Sequence, residues 1–290
     1  MLFKGAATAV ITPFNKKGID YDNFALQIDN QLKAGIQALI VCGTTGEAST
    51  MTKKERYDAI SFVVNKVQKT VPVIAGTGCN DTMHSVQLTK DAYKAGADAI
   101  LVTAPYYNKT SKKGLIEHFS VISESVPVPM ILYNVPTRAG MNIEPDVMVH
   151  LAKNCNITGV KECNLSQVAD IIQTAPESFT VYSGDDSINL QALSLGAMGV
   201  ISVMSNVLPA HVVKMNKLFL QNKIKESREL FYKTKNLVKL LFIETNPIPV
   251  KKAMQLAGYD TGLLRLPLVE MEEKNANLLK EELINLGVIK

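Results

Sequence analysis

The sequence lacks the cysteine and histidine spacings on which most structural metal sites and disulfide frameworks depend. Its four cysteines, Cys42, Cys79, Cys155 and Cys163, include no CxxC pair, and its four histidines include no HxxxH pair. Zinc sites and disulfide-stabilised folds rely on such spacings. We therefore expect no disulfide, no metal and no cofactor.

Long hydrophobic runs and an excess of one charge are also missing. No stretch approaches about 18 unbroken apolar residues, the length of a membrane span, and the opening MLFKGAATAVITPF has no signal-peptide pattern. The 31 Lys and Arg residues are nearly balanced by 27 Asp and Glu residues, and they are scattered along the chain. We expect a cytoplasmic protein that binds neither a membrane nor nucleic acid.

What the chain does contain is a repeated pattern. Its 290 residues, 47% of them hydrophobic, suffice for one large α/β domain with an extension. Three segments pass from a helix-ending glycine into a short apolar strand: KAGIQALIVCGTTGE from Lys33, KAGADAILVTAPYY from Lys94 and SLGAMGVISVMSN from Ser194. Their spacing fits units of about 30 residues, the size of a strand-and-helix pair.

This pattern predicts eight strands. Each is rich in Val, Ile, Leu or Ala without strict alternation, which is typical of parallel strands covered on both faces. The predicted ranges are 5–12, 38–43, 72–77, 99–104, 129–134, 157–162, 179–183 and 199–204. Eight such units most economically close into an α/β fold of the (β/α)8 TIM-barrel type, and a doubly wound open sheet is the alternative.

Helical segments are predicted after nearly every strand. Thr52 with Glu55 forms a capping-box pattern, and Asp81 and Ser166 are candidate N-caps. After about residue 222 the strands stop, and a long amphipathic helix, a proline-stiffened turn and two further helices are predicted. We therefore divide the chain into a catalytic barrel (1–222) and a C-terminal helical extension (223–290).

Polar residues follow several of the predicted strands, where a barrel of this kind carries its active site. They are GTTGE after strand 2, PYYN after strand 4, YNVPTR after strand 5, Lys161 in strand 6, SGDD after strand 7 and SVMSN after strand 8. Lys161 is the most unusual of them, because lysine is almost never buried unless another group pairs with it or a reaction uses it.

Partial burial predicts a lowered pKa for Lys161, and hence a free amine able to attack a carbonyl and form a Schiff base. Such a reaction moves protons, and Tyr133, Thr44 and Thr45 supply hydroxyls at the same end of the barrel. The glycines of GTTGE let backbone N–H groups approach an anion. A small keto acid would fit, with its carboxylate on the Thr44–Thr45 loop and its carbonyl at Lys161.

Each of these residues also has an ordinary structural interpretation. A strand-end lysine can extend to solvent or pair with an acid such as Glu162, and glycine-threonine loops are common turns. The tyrosines can be packing residues, the aspartates of SGDD helix caps, and Arg138 a surface charge. A catalytically silent barrel that binds a keto acid or an oxyanion is the alternative from another functional class. The combination of these residues at one face favours an enzyme.

Six motifs carry a resemblance to a known family. In order and spacing they resemble the 4-hydroxy-tetrahydrodipicolinate synthases, or dihydrodipicolinate synthases, within the pyruvate-dependent class I aldolases and lyases: GTTGE, YNVPTRAG, GVKE, SGDD, GVISV and NPIPVKKA. The resemblance spans essentially the whole chain. It implies a (β/α)8 barrel and a lyase of the diaminopimelate route of lysine biosynthesis.

The resemblance also implies roles for particular residues. Lys161 would form a Schiff base with pyruvate, Tyr133 would be the central acid and base, and Thr44 would connect it to Tyr107. In the family, this second tyrosine comes from a neighbouring subunit. The site is then complete only in a dimer, usually within a homotetramer.

Three further residues would bind the substrates. Thr45 would hold the pyruvate carboxylate near the backbone carbonyl of Ile201, and Arg138 would bind the carboxylate of L-aspartate 4-semialdehyde through its bidentate guanidinium. Arg138 weighs against the N-acetylneuraminate lyases and 2-keto-3-deoxy sugar acid aldolases, which share the barrel, the tyrosine and the lysine. These lyases and aldolases remain the alternative.

Regulation is where the sequence departs from part of this family. Lysine-inhibited members carry a serine, two histidines and a glutamate where this chain has Ala48, Lys53, Arg56 and His84. Asn80 and Tyr106 are retained. Because the changes remove an acid and add positive charge, we expect L-lysine to inhibit weakly or not at all.

Overall fold

Eight parallel strands form a closed barrel in the computed structural model, which describes residues 1–290. The strands are β1 (Gly5–Ala9), β2 (Ala38–Val41), β3 (Val73–Gly76), β4 (Ala99–Thr103), β5 (Met130–Asn134), β6 (Ile157–Glu162), β7 (Thr180–Ser183) and β8 (Gly199–Ser202). Each strand pairs with its neighbours in sequence, and β1 closes the barrel against β8. The predicted (β/α)8 barrel is confirmed, and every observed strand lies within its predicted range.

Twelve helices surround or follow the barrel. They are α1 (Tyr21–Lys33), α2 (Lys53–Val67), α3 (Thr82–Lys94), α4 (Lys112–Ser123), α5 (Pro136–Ala139), α6 (Pro145–Asn154), α7 (Val168–Thr174), α8 (Asn189–Ser194), α9 (Pro209–Leu220), α10 (Ile224–Leu240), α11 (Ile248–Leu256) and α12 (Glu273–Asn285). A small antiparallel hairpin pairs Phe14–Asn15 with Gly18–Ile19. None of the helices has the length and apolar character needed to cross a membrane.

Local capping explains where several helices begin. Thr52 and Glu55 form both bonds of a capping box at α2, and the Asp81 side chain accepts from the backbone N–H of His84 at α3, as predicted. The prediction for Ser166 is wrong. Asn164 accepts from the Ser166 N–H and starts a short 3-10 turn, after which α7 begins at Val168. The amide side chain of Asn164, two residues earlier, takes the capping role.

The core has two layers, because successive residues of each strand point to opposite sides of the barrel wall. One layer fills the barrel and includes Ile40, Ile131, Tyr133 and Ile201. The other lies between the strands and the helices. Lys161 is in register with Tyr133 across β5 and β6, so its side chain belongs to the inner layer.

The segment after α10 returns to the barrel. The side chains of Lys251 and Glu47 form a fully buried ion pair, with Nζ 2.5 Å from Oε1. The backbone N–H of Arg265 donates to the other Glu47 oxygen at 3.0 Å, and the Arg265 guanidinium binds Glu55. The predicted division into residues 1–222 and 223–290 stays a prediction, and these contacts tie the two parts together.

The buried pair predicts a large loss of stability when one partner is removed. We expect Lys251→Met to lower the free energy of unfolding by about 3–5 kcal/mol, because Glu47 is then left buried without its cation. Urea unfolding followed by circular dichroism measures this. The double change Glu47→Gln with Lys251→Met should recover much of the loss, and Lys54→Met, which breaks an exposed pair with Asp58, should change little. Equal stability of Lys251→Met and the unchanged protein would contradict this account.

Candidate active site

Lys161 lies at the carboxyl end of β6 with only 6% of its surface exposed. Its Nζ lies 4.3 Å from the centre of the Tyr133 ring, the residue opposite it on β5. No carboxylate lies within ion-pair distance of this amine. The interpretation of Lys161 as an exposed lysine, or as the partner of Glu162, therefore does not describe the structure.

Burial lowers the pKa of the Lys161 amine, because the charged form loses its hydration. The nearby Arg138 charge lowers the pKa further, whereas the nearby Asp186 carboxylate opposes the shift. Together these influences lower the pKa, and the fraction of neutral amine near neutral pH is larger than for an exposed lysine. A neutral amine in an apolar layer can act as a nucleophile towards a carbonyl.

Tyr133 lies beside this amine and is also buried, with 9% of its surface exposed. Burial raises the pKa of its phenol well above the ordinary value, and the Arg138 charge and the Thr44 hydroxyl only partly oppose this. Tyr133 therefore keeps its proton over the physiological range. A protonated hydroxyl next to an amine can pass protons to and from a reacting group.

A cavity of 250 Å³ opens beside these residues. Thr44, Tyr133 and Arg138 line it, together with Arg56 and Tyr106. Among its lining residues are two arginines and no acidic residue. The cavity therefore favours small anions, and its volume, just below the roughly 300–1,000 Å³ of most ligand pockets, suits a small substrate.

The GTTGE loop brings its two threonines to different places. Thr44 is exposed to the cavity, whereas Thr45 is 3% exposed and accepts a hydrogen bond from Asn246 Nδ2 at 2.9 Å. Glu47, at the end of the loop, adopts a left-handed backbone conformation with φ of 55°. This conformation is uncommon for a residue with a side chain, and the surrounding contacts must hold it.

Arg138 is positioned by a short turn after β5. Pro136 begins the four-residue helix α5, and Gly140 ends it in the left-handed conformation. The Arg138 side chain is exposed at the edge of the cavity. A guanidinium placed there can bind a carboxylate that enters from solvent.

Two of the predicted site residues lie apart from this group. Tyr107 is 92% exposed, has a φ of 71°, and does not line the cavity, unlike its neighbour Tyr106. Ile201 is fully buried in the inner layer of β8, in register with Ala7. The chain alone therefore brings together Lys161, Tyr133, Thr44 and Arg138, whereas the Thr45 side chain is buried and does not line the cavity.

Glu162 points away from Lys161, to the other side of the strand. Its carboxylate accepts from Asn134 Nδ2 at 2.8 and 3.1 Å, from Gln167 Nε2 at 2.7 Å and from the Asn164 N–H at 2.7 Å. Asn134 Oδ1 in turn accepts from the Ile143 N–H. This network fastens the segment that carries Arg138 to β6.

The two aspartates of SGDD have different roles. Asp185 accepts from the Ser187 N–H and caps a 3-10 turn, as its interpretation as a helix cap predicts. Asp186 instead accepts from the backbone N–H groups of Val203 and Met204 at 2.9 Å, and so links the ends of β7 and β8.

Sequence reasoning missed Asn246 and Lys251. Both lie in the C-terminal segment, which showed no chemistry of its own, and both contact the GTTGE loop about 200 residues earlier in the chain. The sequence signals were the place of NPIPVKKA among the motifs of the family resemblance and the polar character of these two residues within it. A contact between residues so far apart has no local pattern.

A larger groove, of 770 Å³, lies outside the barrel between α8, α9 and α10. Its lining is mainly apolar and includes Met215, Phe219 and Phe231, whereas Thr44, Tyr133 and Arg138 line only the smaller cavity. The chemistry of the smaller cavity makes that cavity the candidate active site.

Comparison with known proteins agrees with this geometry. The model of the dihydrodipicolinate synthetase family matches residues 2–285. The 4-hydroxy-tetrahydrodipicolinate synthase of Acetivibrio thermocellus is 51% identical over 99% of both chains. The crystal structure of dihydrodipicolinate synthase from Aquifex aeolicus superposes with a TM-score of 0.96, at 42% identity over 99% of both chains. A chloride-inhibited dihydrodipicolinate synthase from Acinetobacter baumannii, solved in complex with pyruvate, gives 0.95 at 37% identity over 99% of both chains.

The Glu162 network predicts a pH dependence of stability. Burial raises the pKa of this carboxyl from 4.5 to about 7, so the folded protein binds the proton more tightly than the unfolded chain does. The resulting stabilisation is complete below the unfolded pKa and is lost as the pH rises through about 7. In the unchanged protein, the free energy of unfolding measured with urea should fall by on the order of 3 kcal/mol between pH 5 and pH 8. In Glu162→Gln this decrease should be absent.

The control is Glu144→Gln, because Glu144 is an exposed carboxylate that accepts from Asn142 at the edge of the same network. This variant should keep the pH dependence of the unchanged protein. If Glu162→Gln and the unchanged protein lose stability equally between pH 5 and pH 8, Glu162 does not carry the effect.

Proposed function

The chain belongs to the dihydrodipicolinate synthetase family and is a lyase of the class I aldolase type, and on this basis we propose that it condenses pyruvate with L-aspartate 4-semialdehyde. The product would be 4-hydroxy-tetrahydrodipicolinate, in the diaminopimelate route of lysine biosynthesis. The observation that carries the proposal is the buried Lys161 amine against Tyr133, beside a cavity with two arginines and no acid.

The first half of the reaction would activate pyruvate. The neutral Lys161 Nζ attacks the ketone carbon, and the resulting carbinolamine loses water to give a Schiff base. Tyr133 supplies the proton that leaves with the hydroxyl and takes one back in the next step. Loss of a proton from the pyruvate methyl group then gives an enamine, whose terminal carbon is a nucleophile.

The second half would form the carbon–carbon bond. The enamine carbon attacks the aldehyde of L-aspartate 4-semialdehyde, and the aldehyde oxygen takes up a proton and becomes the 4-hydroxyl. The amino group of the same substrate then attacks the Schiff-base carbon and displaces Lys161 by transimination. This step closes the ring and returns the free amine.

Two groups would bind the carboxylates of the substrates. The Thr45 hydroxyl, with the backbone carbonyl of Ile201 nearby, would position pyruvate over Lys161. Arg138, exposed at the edge of the cavity, would bind the carboxylate of the aldehyde substrate in a bidentate manner. An acid-free cavity supports both assignments, because it attracts two anionic substrates.

Tyr107 would complete the proton relay of a second subunit. Its 92% exposure in the single chain supports this role, because a side chain that stands out from its own subunit can reach a neighbour. Thr44 would then connect Tyr133 to the Tyr107 of the adjacent copy. We propose a homotetramer built from such dimers, located in the cytoplasm.

Borohydride reduction in the presence of pyruvate tests the proposed chemistry. Reduction should trap the Schiff base as a stable secondary amine, and mass mapping should place the added mass on the peptide that contains Lys161. Lys161→Met should abolish the adduct, because the other buried amine, Lys251, is paired with Glu47. The absence of an adduct from the unchanged protein would refute the mechanism.

Substrate comparison separates the proposed activity from the alternatives. Turnover with pyruvate and L-aspartate 4-semialdehyde should exceed cleavage of N-acetylneuraminate. Arg138→Met should reduce the first activity by raising the half-saturating aldehyde concentration, because it removes the carboxylate-binding guanidinium. An adduct without turnover of either substrate would indicate a silent keto-acid binder.

We also expect L-lysine to leave the rate nearly unchanged. Arg56 lines the cavity and donates to the Ala48 carbonyl at 2.6 Å, so a guanidinium occupies the region near Tyr106. Arg56 repels a cationic amino acid. Neither Lys53, which is paired with Asp91 at 3.1 Å, nor His84 supplies a negative charge to attract the ligand. Rate measurements over a range of L-lysine concentrations test this, and half-maximal inhibition at submillimolar lysine would contradict it.

A variant with four substitutions should instead be inhibited by L-lysine. The changes Ala48→Ser, Lys53→His, Arg56→His and His84→Glu restore the residue types of lysine-inhibited relatives, and should make the enzyme sensitive to L-lysine. Continued insensitivity of this variant would show that residues elsewhere determine the response.

A further inference from the structure

We propose that Asn246 is a positioning residue for pyruvate, acting through the hydroxyl group of Thr45. The inference rests on the proposed function, because it assigns the pyruvate carboxylate to Thr45. It gives the C-terminal helical extension a part in substrate binding: the extension sets the direction in which a hydroxyl of the barrel donates its hydrogen.

The first support is the contact itself. Asn246 Nδ2 lies 2.9 Å from Thr45 Oγ1, and the two residues are 5% and 3% exposed. An amide nitrogen can only donate, so the threonine oxygen accepts this bond. Thr45 Oγ1 donates no hydrogen bond to any other group of the chain. Its hydrogen is therefore free to be directed at a bound carboxylate.

The second support is the way the same segment holds the rest of the loop. Glu47, two residues after Thr45, has a left-handed backbone that other contacts must hold. Lys251 and the backbone N–H of Arg265 bind one Glu47 oxygen each, at 2.5 and 3.0 Å. The C-terminal extension thus contacts the GTTGE loop at Thr45 and at Glu47. Of these two residues, Thr45 carries the hydroxyl assigned to the pyruvate carboxylate.

Further contacts fix the position of the Lys251 side chain. Besides Glu47, its Nζ donates to the Leu263 carbonyl at 2.8 Å and lies 5.0 Å from the centre of the Phe14 ring. On the barrel side, Thr12 Oγ1 donates to the Gly46 carbonyl at 2.8 Å. Contacts from both sides therefore fix the loop, and a change at Asn246 alters the Thr45 hydroxyl while Glu47 keeps its partners.

Loss of the Asn246 donor should weaken pyruvate binding more than the later steps. Without that donor, the Thr45 hydroxyl can rotate or donate to another acceptor, and the pyruvate carboxylate loses an oriented hydrogen bond. A bond to a charged group contributes roughly 1.5–3 kcal/mol, which corresponds to a tenfold or larger rise in the half-saturating pyruvate concentration. The half-saturating concentration of L-aspartate 4-semialdehyde should stay the same.

The test is a pyruvate titration of borohydride trapping, with steady-state kinetics for both substrates. Asn246→Asp has almost the same shape but offers an acceptor in place of the donating amide, so the Thr45 hydroxyl would turn towards it. Asn246→Ala removes the contact altogether. Both variants should need at least about tenfold more pyruvate for half-saturation, with a smaller effect on kcat.

Asn275→Ala is the matched control. Asn275 is also buried, lies in the same extension, and donates through its Nδ2 to Glu244 Oε1 at 2.7 Å, without contact to the GTTGE loop. This variant should keep the half-saturating pyruvate concentration of the unchanged protein. A similar rise in the half-saturating pyruvate concentration in all three variants would indicate a general role of the extension in folding. That result would overturn the specific role of Asn246.

The outcomes separate this inference from the proposed function. If the unchanged protein forms no pyruvate adduct, the proposed function fails first. If it forms the adduct, and Asn246→Asp traps pyruvate with unchanged half-saturation, then Asn246 does not orient Thr45 by donation, although the function stands. The nearly isosteric Asn246→Asp keeps the test decisive even if Asn246→Ala fails to fold.

Discussion

The burial of one amine at the mouth of the barrel is the constraint on which the rest of the site depends. Alternation along β6 directs Lys161 into the inner layer, and register with β5 puts it against Tyr133. No carboxylate lies within ion-pair distance of Lys161, so burial remains the largest influence on its pKa and outweighs the opposing Asp186 charge. The same burial keeps the Tyr133 phenol protonated, so a neutral amine and a protonated hydroxyl lie side by side in one environment.

The site is also joined to parts of the chain that carry no reacting group. The Glu162 network fixes the segment bearing Arg138 to the strand bearing Lys161. The C-terminal extension holds the GTTGE loop through Asn246 and Lys251. These contacts join buried polar groups of different elements, and they set the relative positions of the site residues. The helices after the barrel therefore belong to the architecture of the site.

The barrel and the central part of the site were predictable from sequence, because their signals are local. Apolar runs at regular spacing predict the strands, and a lysine at the end of such a run stands out by itself. Ser166 shows the limit of local capping rules, because the Asn164 side chain caps this turn by accepting from the Ser166 N–H. Asn246 and Lys251 were not predictable, because their partners, Thr45 and Glu47, are about 200 residues away. The exposed position of Tyr107 also depends on the folded loop after β4.

A direct measurement of the Lys161 pKa tests the central claim most simply. NMR of protein with 15N-labelled lysine side chains can follow each amine during a pH titration, and the spectrum of Lys161→Arg identifies the resonance. We predict a pKa for Lys161 clearly below the ordinary lysine value of 10.5. A pKa for Lys161 at or above 10.5 would contradict it.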